Sequence, residues 1–120
     1  MIEIKKVKGK GRGVFAKKRI AKGTLIERVP VVLVPIASVA GGRQNKFVNT
    51  YLYVWDEEHM AICLGYGLMY NHSFESNAKY IFGKNQMTYR ARRDIEAGEE
   101  ITINYNYYPN NREPLGFEIV

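Results

Sequence analysis

Polar side chains that could bind a ligand are concentrated in residues 64–77, which read LGYGLMYNHSFESN. An apolar run leads there into Asn71, His72 and Ser73, and Asn77 follows. Buried polar groups cost free energy unless they are hydrogen-bonded, so a segment that only filled a core would not carry so many. The pattern predicts a polar site on an apolar support. A glycine-rich turn followed by side-chain bonding within a loop explains the same residues, and this segment alone does not separate the two interpretations.

A second group of candidate residues lies near the end of the chain. Residues 97–100 read AGEE and predict a turn, and residues 101–108 read ITINYNYY. The alternating β-branched residues predict a strand that presents Tyr105 and Tyr107 at its end. A phenol donates one hydrogen bond and also accepts, so it can orient a reacting group. An aromatic patch on a strand is the alternative interpretation.

A third candidate is the Gly-Arg-Gly segment at residues 11–13. Glycines permit positive φ and a close approach of a ligand to the backbone. The dinucleotide-binding fingerprint requires a third glycine and a following helix. Here Ala16 occupies the third position and no helix is predicted, so a hairpin turn within residues 8–13 is the simpler interpretation.

The elements that position these residues are predicted to be short strands with little helix, because no segment has a sustained helical period. Strands are predicted at residues 2–8, 14–16, 25–34, 50–55, 60–64, 79–82, 86–91 and 100–104, with one short helical turn in the connector 35–45. Strands 50–55 and 60–64 are predicted to form one hairpin, and strands 79–82 and 86–91 a second. Pro30 has no backbone N–H, which predicts that its strand is an edge strand or is bulged there.

Two segments of the chain share one sequence pattern. Residues 16–26 and 91–101 both read A-[KR]-[KR]-x-I-x-x-G-x-x-I. Each is predicted to end one strand, turn at a glycine and begin another. Two copies are too few for a solenoid, so we interpret them as two similar corners of one β architecture.

The composition favours a single domain over residues 1–120, with 46% hydrophobic residues to fill one core. One cysteine, Cys63, allows no intramolecular disulfide, and with two histidines it supplies too few ligands for a cysteine-based zinc site. No metal is therefore predicted, and Cys63 is expected to be a small buried residue.

The sequence also predicts where the protein acts. No apolar run reaches the ~18 residues of a membrane span, and the first residues lack the pattern of a signal peptide, so we expect a soluble, intracellular protein without a membrane partner. The net charge of +6 permits acidic partners. The basic residues are dispersed along the chain, so direct nucleic-acid binding is not expected.

In their order and spacing, these features resemble the SET domain of protein-lysine methyltransferases over nearly the whole chain. Residues 11–13 resemble the family's G-x-G loop, and residues 71–77 its N-H-S-x-x-x-N segment. Residues 98–105, GEEITINY, resemble its G-E-E-[IL]-T-x-x-Y signature. The resemblance is greatest to the minimal viral and bacterial members that consist of the SET core alone. It implies a mainly β fold of short sheets, with a C-terminal pseudoknot in which the last segment threads under a loop.

The resemblance also implies a reaction and a site. The cofactor would be S-adenosylmethionine, and the substrate a lysine-containing protein or peptide, with a histone tail as one candidate. Tyr105 would be the catalytic tyrosine. The cofactor would be bound by Gly11, Arg12, Gly13, Asn71, His72, Tyr105 and Phe117. The channel for the target lysine would be lined by Tyr51, Tyr66, Tyr80 and Tyr107. The protein would be cytoplasmic or, in a eukaryotic host, nuclear and active on chromatin.

The chain departs from the family pattern in ways that bear on the number of methyl groups transferred and on how the site is closed. Phe74 and Ser76 replace a cysteine and a proline of the fuller N-H-S-C-x-P-N motif. Ile103 stands where the family often has an aromatic residue, so Tyr80 is the substitute candidate. The cysteine-rich zinc segment of many members is missing, and Phe117 is the candidate to close the site instead.

Two other functions are compatible with the sequence. One is a catalytically silent SET-fold binding module. The other is a basic β domain whose tyrosines stack on nucleic-acid bases. Pairing of two copies through apolar residues near 31–34 is a further possibility that the sequence leaves open.

Overall fold

The computed structural model describes residues 1–9, 11–42, 45 and 52–105, and over these residues it contains nine strands and one short 3-10 helix. The strands are β1 (Ile2–Val7), β2 (Gly11–Ala16), β3 (Leu25–Pro35), β4 (Tyr53–Val54), β5 (His59–Cys63), β6 (Asn71–His72), β7 (Ala78–Phe82), β8 (Gln86–Ala91) and β9 (Glu100–Ile103). The helix covers Ile36–Ser38. The prediction of a mainly β fold with little helix is confirmed.

The strands form two sheets. The four-stranded sheet has the order β1-β2-β9-β6, and the five-stranded sheet has the order β4-β5-β3-β8-β7. The pairing of β6 with β9 is parallel, whereas the other strand pairs are antiparallel. The predicted hairpins formed by β4 with β5 and by β7 with β8 are confirmed.

One buried cluster takes residues from both sheets. Val14 and Ile101 contribute from the four-stranded sheet, and Val29, Met87 and Tyr89 contribute from the five-stranded sheet. In β9 buried and half-buried residues alternate, as the period of a strand requires, whereas Met87, Thr88 and Tyr89 of β8 are all buried. The two sheets are therefore held in a fixed relation by a common core.

The prediction that Pro30 marks an edge or a bulge is wrong. Strand β3 is the central strand of its sheet, and its register shift lies between Leu25 and Glu27. Pro30 is tolerated because β3 changes partner there: Leu25–Pro30 pairs with β8, and Val31–Pro35 pairs with β5. The missing N–H therefore falls where one ladder ends and the other begins.

The prediction that residues 8–13 form a single turn is corrected in its extent. The strand β2 begins at Gly11, so the Gly-Arg-Gly segment is paired with β1 along its whole length. Gly9 and Gly11 have φ of 80° and 78°, a conformation that glycine adopts without steric cost. The tight turn is thus confined to the residues before Gly11.

The two segments of shared pattern do form matching corners. Ile20 and Ile95 occupy equivalent positions, and each donates its N–H to the other's carbonyl oxygen at 2.8 Å. Both side chains are buried, at 1% and 0% exposure. The two corners thus meet back to back about this isoleucine pair.

The glycines of the corners are also equivalent. Gly23 and Gly98 both have φ of 85°. The Gly23 N–H donates to the carbonyl of Ala91 at 2.9 Å, and the Gly98 N–H donates to the carbonyl of Ala16 at 2.8 Å. Each corner therefore closes on the end of the strand that precedes the other corner, which explains why the spacing is the same in both.

Two smaller expectations concern buried and exposed apolar residues. Cys63 is buried, as predicted, and burial raises the pKa of its thiol to about 11. Among residues 31–34, Val32 is 49% exposed while its neighbours are half-buried. No helix in the described part of the chain is both long and apolar enough to cross a bilayer.

Candidate active site

The Asn71 side chain lies where β6 meets the Gly-Arg-Gly segment of β2. Its Nδ2 donates to the carbonyl oxygen of Arg12 at 3.0 Å and to Oε2 of Glu100 at 2.7 Å. Both partners are pure acceptors, so the orientation of the amide is fixed. The Oδ1 atom is then the one that Asn71 can offer to a ligand, and it offers an acceptor.

Gly13 is required at this point because of its neighbours. An added Cβ would lie 2.4 Å from Oε2 of Glu100 and 2.8 Å from Nδ2 of Asn71. Gly13 is buried, and its φ is outside the left-handed region, so space and not backbone conformation demands glycine here. A side chain at position 13 would separate Asn71 from Glu100.

Asn77 holds β9 in place next to this cluster. It is 2% exposed, and its Nδ2 donates to the carbonyl of Glu100 at 2.7 Å and to Oε2 of Glu99 at 3.1 Å. Its Oδ1 accepts the N–H of Thr102 at 2.9 Å. All of the amide's capacity is thus spent on the strand that leads to Tyr105, which makes Asn77 a structural residue of the site.

Tyr105 lies two residues after the end of β9, and its side chain contacts the segment before β6. Its Oη donates to the carbonyl oxygen of Tyr70 at 2.6 Å. Because a carbonyl can only accept, the phenol proton points at Tyr70, and toward any other donor Oη acts as an acceptor. Toward an amine, the Tyr105 hydroxyl would therefore act as an acceptor.

His72 connects β6 to the segment that follows β9. Its Nδ1 accepts the backbone N–H of Tyr105 at 3.0 Å, which places the proton of the neutral ring on Nε2. The ring is buried and packs edge-on against Phe74, with ring centroids 4.5 Å apart. The parallel pairing of His72 with Ile103 completes this connection.

A cluster of tyrosines lies beside Tyr105. The Tyr80 hydroxyl donates to the Tyr105 carbonyl at 3.4 Å, and the rings of Tyr80 and Tyr53 meet edge-on at 5.1 Å. The Tyr53 hydroxyl donates to the carbonyl of Gly67 at 2.8 Å and accepts from the Tyr89 hydroxyl at 3.0 Å. Burial raises the pKa of Tyr53 and of Tyr89 well above that of a free phenol. These phenols therefore remain neutral.

Glu27 is the acidic residue that contacts Tyr70, next to the tyrosine cluster. Its Oε1 accepts the Tyr70 hydroxyl at 2.6 Å, and its Oε2 accepts the Tyr66 N–H at 3.5 Å. Partial burial raises the pKa of the Glu27 carboxyl above its usual value, and the two hydrogen bonds oppose that rise. Tyr66 is thus connected to the site through Glu27 and Tyr70.

The structure brings most of the predicted site residues together. Arg12, Gly13, Asn71, His72 and Tyr105 lie on three adjacent segments, and Gly11 begins the first of them. Tyr80 contacts Tyr105, and Tyr66 is connected to it through Glu27 and Tyr70. Tyr51, Tyr107 and Phe117 lie outside the described residues.

Four residues of the site were not predicted from the sequence: Glu27, Tyr53, Tyr89 and Glu100. Glu100 carries a signal that could have found it, because it stands in the G-E-E motif and faces the second glycine of residues 11–13. The other three come from strands far apart in sequence, and no local pattern connects them. No group of three or more His, Cys, Asp and Glu side chains arranged to hold a metal occurs in the described ranges.

Comparisons with known proteins agree with this geometry. The family model of the SET domain matches residues 11–106. A histone-lysine N-methyltransferase specific for H3 lysine-37 from Schizosaccharomyces pombe is 36% identical over 106 residues, covering 87% of this chain and 72% of that protein. The histone-lysine N-methyltransferase ash1 of Drosophila melanogaster is 32% identical over an alignment of 114 residues, and the match covers 82% of this chain and 5% of that protein.

A solved structure shows the same fold. The crystal structure of a candidate histone methyltransferase of Plasmodium falciparum superposes with a TM-score of 0.74 at 29% identity, covering 90% of this chain and 99% of that one. The matched family model spans the Gly-Arg-Gly segment, Asn71 and Tyr105 alike. The chain therefore belongs to the SET domain family of protein-lysine methyltransferases.

Proposed function

We propose that the chain transfers a methyl group from S-adenosylmethionine to the side-chain amine of a lysine in a protein. The observation that carries this proposal is the parallel pairing of β6 with β9, which places the Asn71 amide beside the strand that leads to Tyr105. A polar cluster and an orienting phenol are therefore held beside each other. This is the arrangement that a two-substrate transfer requires.

The residues of the polar cluster fit the cofactor. S-adenosylmethionine carries an ammonium group on its methionine part, and the cluster offers acceptors: Oδ1 of Asn71, the Arg12 carbonyl and the Glu100 carboxylate. Hydrogen bonds to a charged group are stronger than those between neutral groups. Gly13 keeps the cluster free of any side chain that would push Asn71 and Glu100 apart. When bound, S-adenosylmethionine supplies the methyl group as part of a sulfonium.

The chain's own part in the chemistry is to prepare the amine. A free lysine has a pKa of ~10.4, so its ammonium must lose a proton before it can attack. Neutral, buried phenols around the amine disfavour the charged form. Tyr105, whose own proton is directed at Tyr70, can accept an N–H of the amine and so aim the nitrogen lone pair. Orientation of this kind can supply several kcal/mol of a barrier.

Cofactor binding without added metal is the first test of this proposal. We expect isothermal titration calorimetry on EDTA-treated protein to show binding of S-adenosylmethionine, because the cluster that we assign to it contains amide, carbonyl and carboxylate oxygens and no metal site. Binding that appears only after zinc is added would contradict the assignment.

The substrate class is proposed from the relatives, two of which are named as histone-lysine methyltransferases. We propose a histone tail as the substrate of this chain, which would place its action on chromatin. Transfer of tritiated methyl groups to core histones tests this, with histones whose lysines have been propionylated as the matched control. Labelling of other lysine peptides but not of histones would exclude the histone and keep the reaction. Cofactor binding with no transfer to any lysine would favour the silent binding module.

A further inference from the structure

Glu27 is a partly buried carboxylate that the proposed reaction does not use. It lies on the central strand β3, and its Oε1 accepts the Tyr70 hydroxyl at 2.6 Å. A phenol–carboxylate bond this short is typical of a charge-assisted hydrogen bond, which is roughly twice as strong as a neutral one. The same carboxylate accepts the Tyr66 N–H at 3.5 Å. One acidic side chain thus holds two points of the segment that precedes β6.

Tyr70 connects this carboxylate to the candidate catalytic residue. Its side chain is 1% exposed, and its ring stacks on that of Tyr89 with centroids 4.5 Å apart. Its main-chain carbonyl accepts the Tyr105 hydroxyl at 2.6 Å. Tyr70 therefore touches Glu27 with its hydroxyl and Tyr105 with its backbone, and its stacked ring lies between these two contacts.

We propose that Glu27 and the Tyr70 hydroxyl form a positioning pair that sets the Tyr70 carbonyl and, through it, the orientation of the Tyr105 hydroxyl. The inference rests on the proposed function, in which that hydroxyl orients the substrate amine. Neither residue of the pair touches the reacting atoms in this account. Their effect passes through the backbone of Tyr70.

The neighbouring contacts explain why such a pair is needed. Residues 65–69 form turns, and Gly65 has φ of 60°, so the segment has no ladder of its own before β6 begins. The Tyr53 hydroxyl anchors it at the carbonyl of Gly67. Between Gly67 and β6, the side-chain bond of Tyr70 to Glu27 anchors the segment, beside the bond of the Tyr70 carbonyl to Tyr105. Removing it would leave the Tyr70 carbonyl free to shift relative to Tyr105.

A merely structural role makes a different prediction from a positioning role. If the pair only satisfies two buried polar groups, its loss lowers stability and leaves the kinetics of the folded enzyme unchanged. If the pair positions Tyr105, its loss lowers kcat while the KM for the cofactor stays the same. The loss should also vanish once the Tyr105 hydroxyl is gone, because residues that act through one group are not additive.

The experiment is a double-mutant cycle in the full chain. Tyr70→Phe keeps the stacked ring and removes only the oxygen, and Glu27→Gln keeps an acceptor without the charge. We expect Tyr70→Phe to lower kcat about 10-fold, with a smaller loss for Glu27→Gln. In a Tyr105→Phe background, neither change should lower kcat further. Glu58→Gln, at the exposed tip of the β4–β5 hairpin, is the matched control and should change nothing.

Three outcomes would overturn the inference. They are an unchanged kcat in folded Tyr70→Phe, a change in KM alone, and a double variant whose kcat falls by the product of the two single effects of Tyr70→Phe and Tyr105→Phe. If the wild-type chain transfers no methyl group, the proposed function fails, and the pair is judged by NMR of ζ-13C-tyrosine. The Tyr105 signal, assigned from Tyr105→Phe, should move in Tyr70→Phe and not in Glu58→Gln. A Tyr105 signal that stays in place would overturn the inference on its own.

Discussion

Tyr105→Phe is expected to fold, to bind S-adenosylmethionine as the wild type does, and to transfer methyl groups about 10-fold more slowly or worse, which corresponds to about 1.4 kcal/mol or more. The ring stays packed against His72, where the two ring centroids are 5.1 Å apart, so the loss of stability should be limited to that of the hydrogen bond to the Tyr70 carbonyl, about 0.5–1.5 kcal/mol. The oxygen that we propose to accept the substrate N–H is lost. An interaction made chiefly in the transition state lowers kcat and leaves KM unchanged.

Single-turnover kinetics with a verified lysine substrate would measure this change. Tyr107→Phe is the comparison variant, since Tyr107 is the second of the tyrosines that follow the strand in the sequence. A fully active Tyr105→Phe with an inactive Tyr107→Phe would mean that the two roles are exchanged. Full activity of both variants would mean that the active site lies elsewhere.

Asn71→Ala is expected to weaken cofactor binding by about 1.5–3 kcal/mol, the cost of losing one hydrogen bond to a charged group. The change removes the Oδ1 acceptor and also releases the Arg12 carbonyl and the Glu100 carboxylate from their common donor. Calorimetric titration with S-adenosylmethionine would give the difference in Kd between the variant and the wild type.

Glu100→Gln is the matched comparison for Asn71→Ala. It keeps an oxygen that can accept from Nδ2 of Asn71 and removes only the negative charge, so the loss of affinity should be smaller. A folded Asn71→Ala protein with an unchanged Kd would contradict the placement of the cofactor at this cluster. Circular dichroism of both variants would exclude unfolding as the cause of a loss.

The sequence predicted the hairpins and the two matching corners because both depend on local signals. Alternating side chains and turn residues define β7 and β8, and Gly23 and Gly98 occur at the same spacing in the two corners. Such features can be recognised within a window of about ten residues. Strands β7 and β8 are also neighbours in the sequence, and the two corners that contact each other share one sequence pattern.

The misjudged elements depend on partners that are distant in the sequence. Strand β6 has two residues, too few for any periodicity, and exists because β9 pairs with it in parallel. Pro30 was predicted to mark an edge or a bulge. It is tolerated in a central strand because β5 and β8 pair with different halves of β3, and this cannot be seen in the sequence near Pro30. Propensity alone does not carry that information.

The residues of the candidate site also fall into those that local motifs predict and those that meet only in the folded chain. Asn71, His72 and Tyr105 belong to contiguous motifs, so their grouping followed from the resemblance to a family. Glu27 could not be connected with Tyr70 from the sequence, because 43 positions separate them and the contact arises only when the segment before β6 packs on β3. The residues that support the candidate catalytic tyrosine are thus less visible in a sequence than the tyrosine itself.

The central claim is that this chain methylates lysine with the Tyr105 hydroxyl as the orienting group. Tandem mass spectrometry of a lysine peptide after incubation with S-adenosylmethionine and EDTA tests it most directly, with wild-type protein and Tyr105→Phe side by side. The account predicts that the wild type adds the mass of one or more methyl groups to the lysine side chain, and that Tyr105→Phe adds it at least about 10-fold more slowly. Methyl groups found on a residue other than lysine, or equal rates for the two proteins, would contradict it.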